Sequence, residues 1–203
     1  APEGMHRAVC YRFVDLGTQK VEWQGQTKRQ RKVLLSWELV DTEDEFEHDG
    51  KTIKRPFTIH QRFTWSMHEK GNLRPFLEAW RGRRFKDEDL AAGGFDAQKL
   101  IGAPCYMQVM HNEKNDRVYA NIASINPLPP QMKEGMPDRP HNQPLYLAMS
   151  PPERWDQHAF DALPERMQEE IKGSPEYEDI FAPQSKPAET DPGVNALDDD
   201  IPF

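Results

Sequence analysis

Three short stretches of this 203-residue sequence carry residue types that could do chemistry, and all three point to binding. Lys28, Arg29, Arg31 and Lys32 place four positive charges within five residues, shortly after Trp23. An aromatic ring beside clustered cations is what a loop needs to stack bases while neutralising phosphates. Arg81, Arg83 and Arg84 form a second basic cluster, and Arg12, Arg62, Tyr106 and Tyr119 stand on segments with strand patterning, where they could face a groove. The third stretch is Asp198-Asp199-Asp200-Ile201-Pro202-Phe203. As the end of the chain, Phe203 would carry a benzyl ring and an α-carboxylate on one residue. A partner with a small apolar pocket, a basic lip and a cationic ridge would engage all of these groups at once. Pro202 restricts Ile201 to extended conformations, which lowers the entropy lost on docking.

Catalytic constellations are missing from the sequence. The seven histidines make no metal-ligand spacing, and His68-Glu69 lacks the second histidine of a zinc-protease motif. There is no phosphate-binding G-x-x-x-x-G-K loop and no G-x-S-x-G elbow, so the reading is a non-enzyme that needs no cofactor or metal. Cys10 and Cys105 cannot build a disulfide framework and read as small buried hydrophobes of a reducing compartment. No apolar run approaches the ~20 residues that span a bilayer, so a soluble, intracellular protein with no membrane partner is expected. Charge is uneven along the chain. Residues 1–125 hold 20 Lys+Arg against 18 Asp+Glu, while residues 126–203 hold 6 against 16, which together give the net −8.

The elements that must position these groups follow from periodicity. Arg7 to Leu16 alternates with Val9, Tyr11 and Phe13 on one face, and Gly17 follows where the strand would bend. A polar, basic connection leads to a second strand at Val33–Val40, with Val33, Leu35, Trp37 and Leu39 on one face. Asp41–Lys51 reads as an acidic loop turning at Asp49-Gly50, and Pro56–Ser66 as a third strand with Phe57, Ile59, Phe63 and Trp65 on one side and Thr58, His60, Arg62 and Thr64 on the other. Leu73, Phe76, Leu77 and Trp80 then recur at helical spacing, ending at Gly82; Ser66 and Glu69 have capping-box spacing, so the helix either begins near Asn72, with Pro75 in its first turn, or is kinked at Pro75. A helical turn near Phe95–Gly102 precedes a hairpin of Pro104–His111 and Arg117–Ile125. Three strands, a helix and two strands is the element order of a five-stranded OB-fold Greek-key barrel with a helix between strands 3 and 4. Trp37, Phe57, Phe63 and Trp80 are its expected core.

Beyond the barrel the composition changes. The expected organisation is an OB-fold domain at 5–127, a proline-rich linker at 128–150, a short helical extension at 151–182 and a flexible acidic tail at 183–203. Trp155, Phe160, Leu163, Met167 and Ile171 carry the apolar spacing of the extension, which could pack on the barrel or hold a second protomer.

The terminal hexamer resembles, letter for letter, the interaction tip of bacterial single-stranded DNA-binding proteins. The body is similar to phage- and prophage-encoded single-stranded DNA-binding proteins, through Val14-Asp15-Leu16-Gly17-Thr18, Lys32-Val33-Leu34-Leu35-Ser36-Trp37-Glu38-Leu39 and Phe63-Thr64-Trp65-Ser66-Met67-His68-Glu69-Lys70. The likeness continues through Leu77-Glu78-Ala79-Trp80-Arg81-Gly82-Arg83, Leu100-Ile101-Gly102-Ala103-Pro104-Cys105 and Tyr119-Ala120-Asn121-Ile122-Ala123-Ser124-Ile125. What the resemblance implies is an OB barrel that coats single-stranded DNA during phage or mobile-element replication and recombination, in the cytoplasm of a bacterial host. It also implies that Asp198–Phe203 recruits host or phage replication and repair proteins. A competing reading makes the chain a mimic of that tip, occupying host enzymes with weak or no DNA binding. Homo-oligomerisation is left open.

Overall fold

A computed structural model describes residues 1–23, 25–48, 50–91 and 95–181, with the backbone alone at Trp23, Phe46, His48 and Ala91. The strands are β1 (Gly4–Trp23), β2 (Gln26–His48), β3 (Lys51–Thr64), β4 (Pro104–Lys114), β5 (Arg117–Asn126) and the short β6 (Leu145–Leu147). They form one sheet in the order β3-β2-β1-β4-β5, antiparallel throughout, with β6 added parallel to β1 along Arg12–Val14. The chain is mainly β, and the sheet curls into an open, OB-like half-barrel. Its edge strands β3 and β5 come within 8 Å Cα–Cα of each other without pairing.

Alternation explains which side chains enter the half-barrel, and one bulge explains a departure from it. Along β1, Cys10 faces Trp37 and Arg12 faces Ser36, so Tyr11 is the extra residue. An extra residue reverses the faces beyond it. Ala8 and Cys10 therefore point inward before the bulge and Phe13 after it, while Val14 and Leu16 join a separate outer cluster. The single face of Val9, Tyr11 and Phe13 expected from the sequence is split for this reason. Val33, Leu35, Trp37, Leu39, Ile59 and Phe63 line the interior as their spacing predicts.

Helix α1 (Leu73–Arg81) closes one end of the interior with Leu73, Leu77 and Trp80, and Pro75 does lie in its first turn. Trp80 sits 5.6 Å from the Trp37 ring, and Phe76 lies 4.7 Å from Phe63. Gly82 ends the helix at φ 71°, where an added Cβ would stand 2.6 Å from Pro127 Cγ. The start differs from the expected capping box: Asn72 is the cap residue and no side chain bonds the first turn. A short helix α2 (Asp87–Ala91) and a 3₁₀ turn at Ala97–Leu100 complete the crossover to β4.

Two stretches expected as loops are strand. Thr18–Trp23 pairs with Gln26–Arg31 in a ribbon that extends beyond the half-barrel. Glu43–His48 pairs with Lys51–Pro56, setting Asp44 opposite Arg55 and Glu45 opposite Lys54. Opposite charges across a ladder favour pairing, so polarity there marked a solvated hairpin.

The proline-rich stretch 128–150 also departs from the linker expectation. Leu147, Ala148 and Met149 are buried, and β6 gives β1 a further partner. Prolines occupy the turns around β6 and leave Leu145–Leu147 free to pair. Helices α3 (Gln157–Asp161), α4 (Glu165–Lys172) and α5 (Pro175–Phe181) then lie against the outer face. Phe160, Leu163 and Ile171 pack on Val14, Leu16, Leu34, Leu147 and Met149, forming the second core. No described helix is long and apolar enough to cross a membrane.

Candidate nucleic-acid interface

Strand geometry divides the first basic cluster between two faces. Residues directly opposite in an antiparallel pair share a face, and neighbours along a strand alternate. Lys28 and Lys32 fall on one face with Gln30, whose Oε1 accepts a 2.8 Å hydrogen bond from Lys32 Nζ. Lys32 also donates to Thr64 Oγ1 at 2.9 Å; partial burial and then the neighbouring Arg62 lower its pKa. Arg29 and Arg31 fall on the other face, opposite Lys20 and Thr18. Lys20, Lys28 and Arg29 are exposed. Like charges set directly opposite, as Lys20 and Arg29 are, destabilise a ladder. A polyanion lying on that face would turn the cost into attraction.

The Arg29 face runs down the ribbon into an aromatic cleft of about 290 Å³, lined among others by Phe13, Arg31, Trp65, Phe95, Tyr146 and Arg154. Phe13 stacks on Tyr146 at 5.2 Å and 21°, and meets Trp65 edge-on at 5.6 Å. Trp65, Phe95 and Tyr146 are partly exposed. Arg31 is anchored to the buried carboxylate of Asp15, which also accepts from the Gly17 and Met149 backbone N–H groups. Burial pulls the Arg31 pKa down, but the bond and charge of Asp15 more than offset this and leave it raised. Its guanidinium is therefore a fixed plane between the cleft and the exposed cations Arg29 and Lys20, which no ion pair engages among the described residues. Tyr146 and Arg154 come from the stretch read as linker and extension, so nothing in their own spacing marked them as part of a site.

The remaining candidates are scattered. Arg62 makes a bidentate pair with Glu170 of α4, at 2.6 and 2.8 Å, on the face that the C-terminal helices cover. Arg12 lies on the same face opposite Ser36, its guanidinium 5.2 Å over the Tyr11 ring and its Nε buried without a partner among the described residues. His60, next across the sheet, has its pKa lowered by burial and then by Arg12 and Arg62. Arg81 is held by Asp89 at 3.4 Å and lies 4.3 Å over the Phe85 ring, whereas Arg83 and Arg84 are exposed. Tyr106 and Tyr119 lie on β4 and β5; Tyr119 is exposed near the hairpin tip with Lys114 and Arg117, and Tyr106 is half-buried. Opposite Tyr106, Arg7 binds Asp41 and the carbonyls of Met132 and Glu134. The Trp23 side chain and the hexamer Asp198, Asp199, Asp200, Ile201, Pro202 and Phe203 lie outside the described residues. The cleft thus brings Arg31 and Arg154 together with four aromatic rings, and Lys20 and Arg29 continue the Arg31 face along the ribbon, while Arg12, Arg62, Arg81 and the two tyrosines stand elsewhere.

Compared with models of known protein families and with curated proteins, the chain matches none.

Proposed function

We propose that this is a single-stranded DNA-binding protein whose half-barrel is a five-stranded Greek-key OB barrel, and which recruits replication or repair proteins through Asp198–Phe203. The strand order, the approach of β3 to β5 and the crossover helix α1 support the barrel reading. One observation carries the DNA reading: the exposed like-charge pair Lys20/Arg29 shares a ribbon face with Arg31, which lines the Phe13–Trp65–Tyr146 cleft. Phosphates would lie along the ribbon, and unpaired bases would enter or cover the cleft. Aromatic faces accept any base, so the grip has little sequence preference. The β4–β5 hairpin, with Lys114, Arg117 and Tyr119, supplies a second contact in the manner of OB loops.

Anisotropy of labelled oligo-dT over a salt series tests this reading. Each phosphate neutralised adds about −0.7 to the log–log slope, so a double Lys20→Ala/Arg29→Ala variant should bind more weakly with a slope shallower by about 1.4. A wild-type slope near zero, or equal affinity for duplex, would falsify the proposal. Deleting Phe203 should abolish capture of host replication proteins and leave oligo-dT binding unchanged.

A further inference from the structure

A pocket of about 650 Å³ adjoins the aromatic cleft, with which it shares Tyr146 and Arg154. Distant stretches of the chain build it. β1 supplies Arg12, the 3₁₀ turn at Ala97–Leu100 supplies Gln98, the approach to β6 supplies Gln143, and the start of α3 supplies Asp156. Pairing of β6 with β1 sets Leu145 beside Arg12 and Tyr146 beside Phe13, which brings the pocket and the cleft together.

Its chemistry is that of an anion site with hydrogen-bonding walls. Arg12 and Arg154 bring two guanidiniums, and among the described residues no ion pair engages either. Arg12 Nε is buried without a partner among the described residues. An orphaned buried donor marks a place where an acceptor belongs. The one carboxylate that lines the pocket, Asp156, already accepts from the Ala159 N–H. Burial raises the Tyr146 pKa although Arg154 draws it down, so the hydroxyl stays protonated and can donate. Gln98 and Gln143 are exposed, and among the described residues no hydrogen bond engages their side-chain amides.

These groups select among ligands. Guanidiniums clamp the oxygens of a phosphate. A side-chain amide presents a donor and an acceptor together, the pattern that pairs with the edge of a base. A nucleotide uses both, and the pocket lies within the range of roughly 300–1,000 Å³ that holds small molecules. The rings of the adjoining cleft would stack the next bases of a strand.

We propose that this pocket binds a nucleoside monophosphate, with Arg12 and Arg154 on the phosphate and Gln98 and Gln143 on the base edge. The nucleotide comes either from the end of a strand whose next bases occupy the cleft, or from solution as the free molecule. The strand-end source rests on the DNA reading; the free-nucleotide source does not.

Calorimetry on the full chain with the four deoxynucleoside 5′-monophosphates, their nucleosides and inorganic phosphate tests the assignment. At least one monophosphate should bind about tenfold or more tighter than its nucleoside and than inorganic phosphate, since each comparison removes one set of contacts. A parallel anisotropy series compares oligo-dT carrying a 5′-phosphate, a 3′-phosphate or neither. A terminal phosphate that tightens binding about tenfold or more identifies the strand end; equal affinities, with a monophosphate still binding, identify the free nucleotide. Arg154→Ala and the double Gln98→Ala/Gln143→Ala variant should each weaken the nucleotide response about tenfold or more. All three residues are exposed, so melting curves should match the wild type, and the double amide variant should keep its affinity for unphosphorylated oligo-dT. No monophosphate binding together with equal oligonucleotide affinities would overturn the assignment. So would inorganic phosphate that matches every nucleotide, or a nucleotide response that survives both variants. Nucleotide binding without any oligo-dT binding would remove the DNA reading and leave the pocket standing; oligo-dT binding with no response to phosphate would do the reverse.

Discussion

At the scale of single residues, Glu38 shows how one side chain can anchor a distant segment. It is 2% exposed, yet its carboxylate accepts the backbone N–H groups of His141 at 2.7 Å and Asn142 at 2.9 Å, and the Asn142 amide at 2.9 Å. In the sequence it is simply a polar residue in an alternating strand. Glu38→Ala leaves these part-buried donors without their acceptor, at a cost of about 1–3 kcal/mol. Thermal unfolding should show a lowered midpoint, with Glu38→Gln recovering part of it. A variant that melts like wild type would mean that water replaces the carboxylate. Cys10 illustrates the opposite case, a reactive type made inert: burial pushes its thiol up to about 12, and burial raises Cys105 too, as expected of small core residues.

At the scale of elements, α5 is held at a strand edge by an ionisable group. Beyond Val14 this edge of β1 has no strand partner among the described residues, and Glu176 takes its place, accepting from the Thr18 N–H at 2.8 Å and the Thr18 hydroxyl at 2.6 Å. Burial alone would raise the Glu176 pKa, but the Thr18 bonds outweigh it and leave the pKa lowered. A carboxylate whose folded pKa is depressed contributes stability above its unfolded pKa of about 4.3, and that stability is lost as pH falls through the folded value. Acidification below about pH 4 should therefore loosen α5, read as faster amide exchange in 175–181 and a change in the emission of Trp155, which packs on Tyr177 and Phe181. Glu176→Gln should remove that step; its persistence would assign the transition to another carboxylate. The same junction explains why Gly17 cannot be replaced by alanine. Its φ is 71°, and an added Cβ would run into Ser174, at the start of α5.

At the scale of the whole molecule, two cores share one sheet. The interior is closed by α1, and the outer face of β1 and β2 by residues 145–181. A chain ending at Phe181 should unfold cooperatively and keep its oligo-dT affinity at moderate salt. A chain ending at Pro127 uncovers Val14, Leu16 and Leu34 and lacks Tyr146 and Arg154. Fully burying one such aliphatic side chain is worth about 1.5–3 kcal/mol, so its melting midpoint should fall by at least about 10 °C. Calorimetry and anisotropy on the two truncations decide the point. Equal stability and affinity would return the function to residues 1–127 alone.

The sequence by itself determined the local pattern: the inward faces of β2 and β3, the helix from Leu73 to Gly82 and the hairpin of β4 and β5. These follow from periods of 2 and 3.6 residues and from turn residues, which need no distant partner. Tertiary structure alone decided which apparent loops pair as strands, because Lys20 and Arg29, or Glu45 and Lys54, become neighbours only once a register exists. It also decided the fate of the cations. Arg62 and Arg31 look as available in the sequence as Arg29, yet Glu170 and Asp15 occupy them. Charge is legible residue by residue, whereas whether a charge is already paired depends on groups brought together from up to 108 positions away.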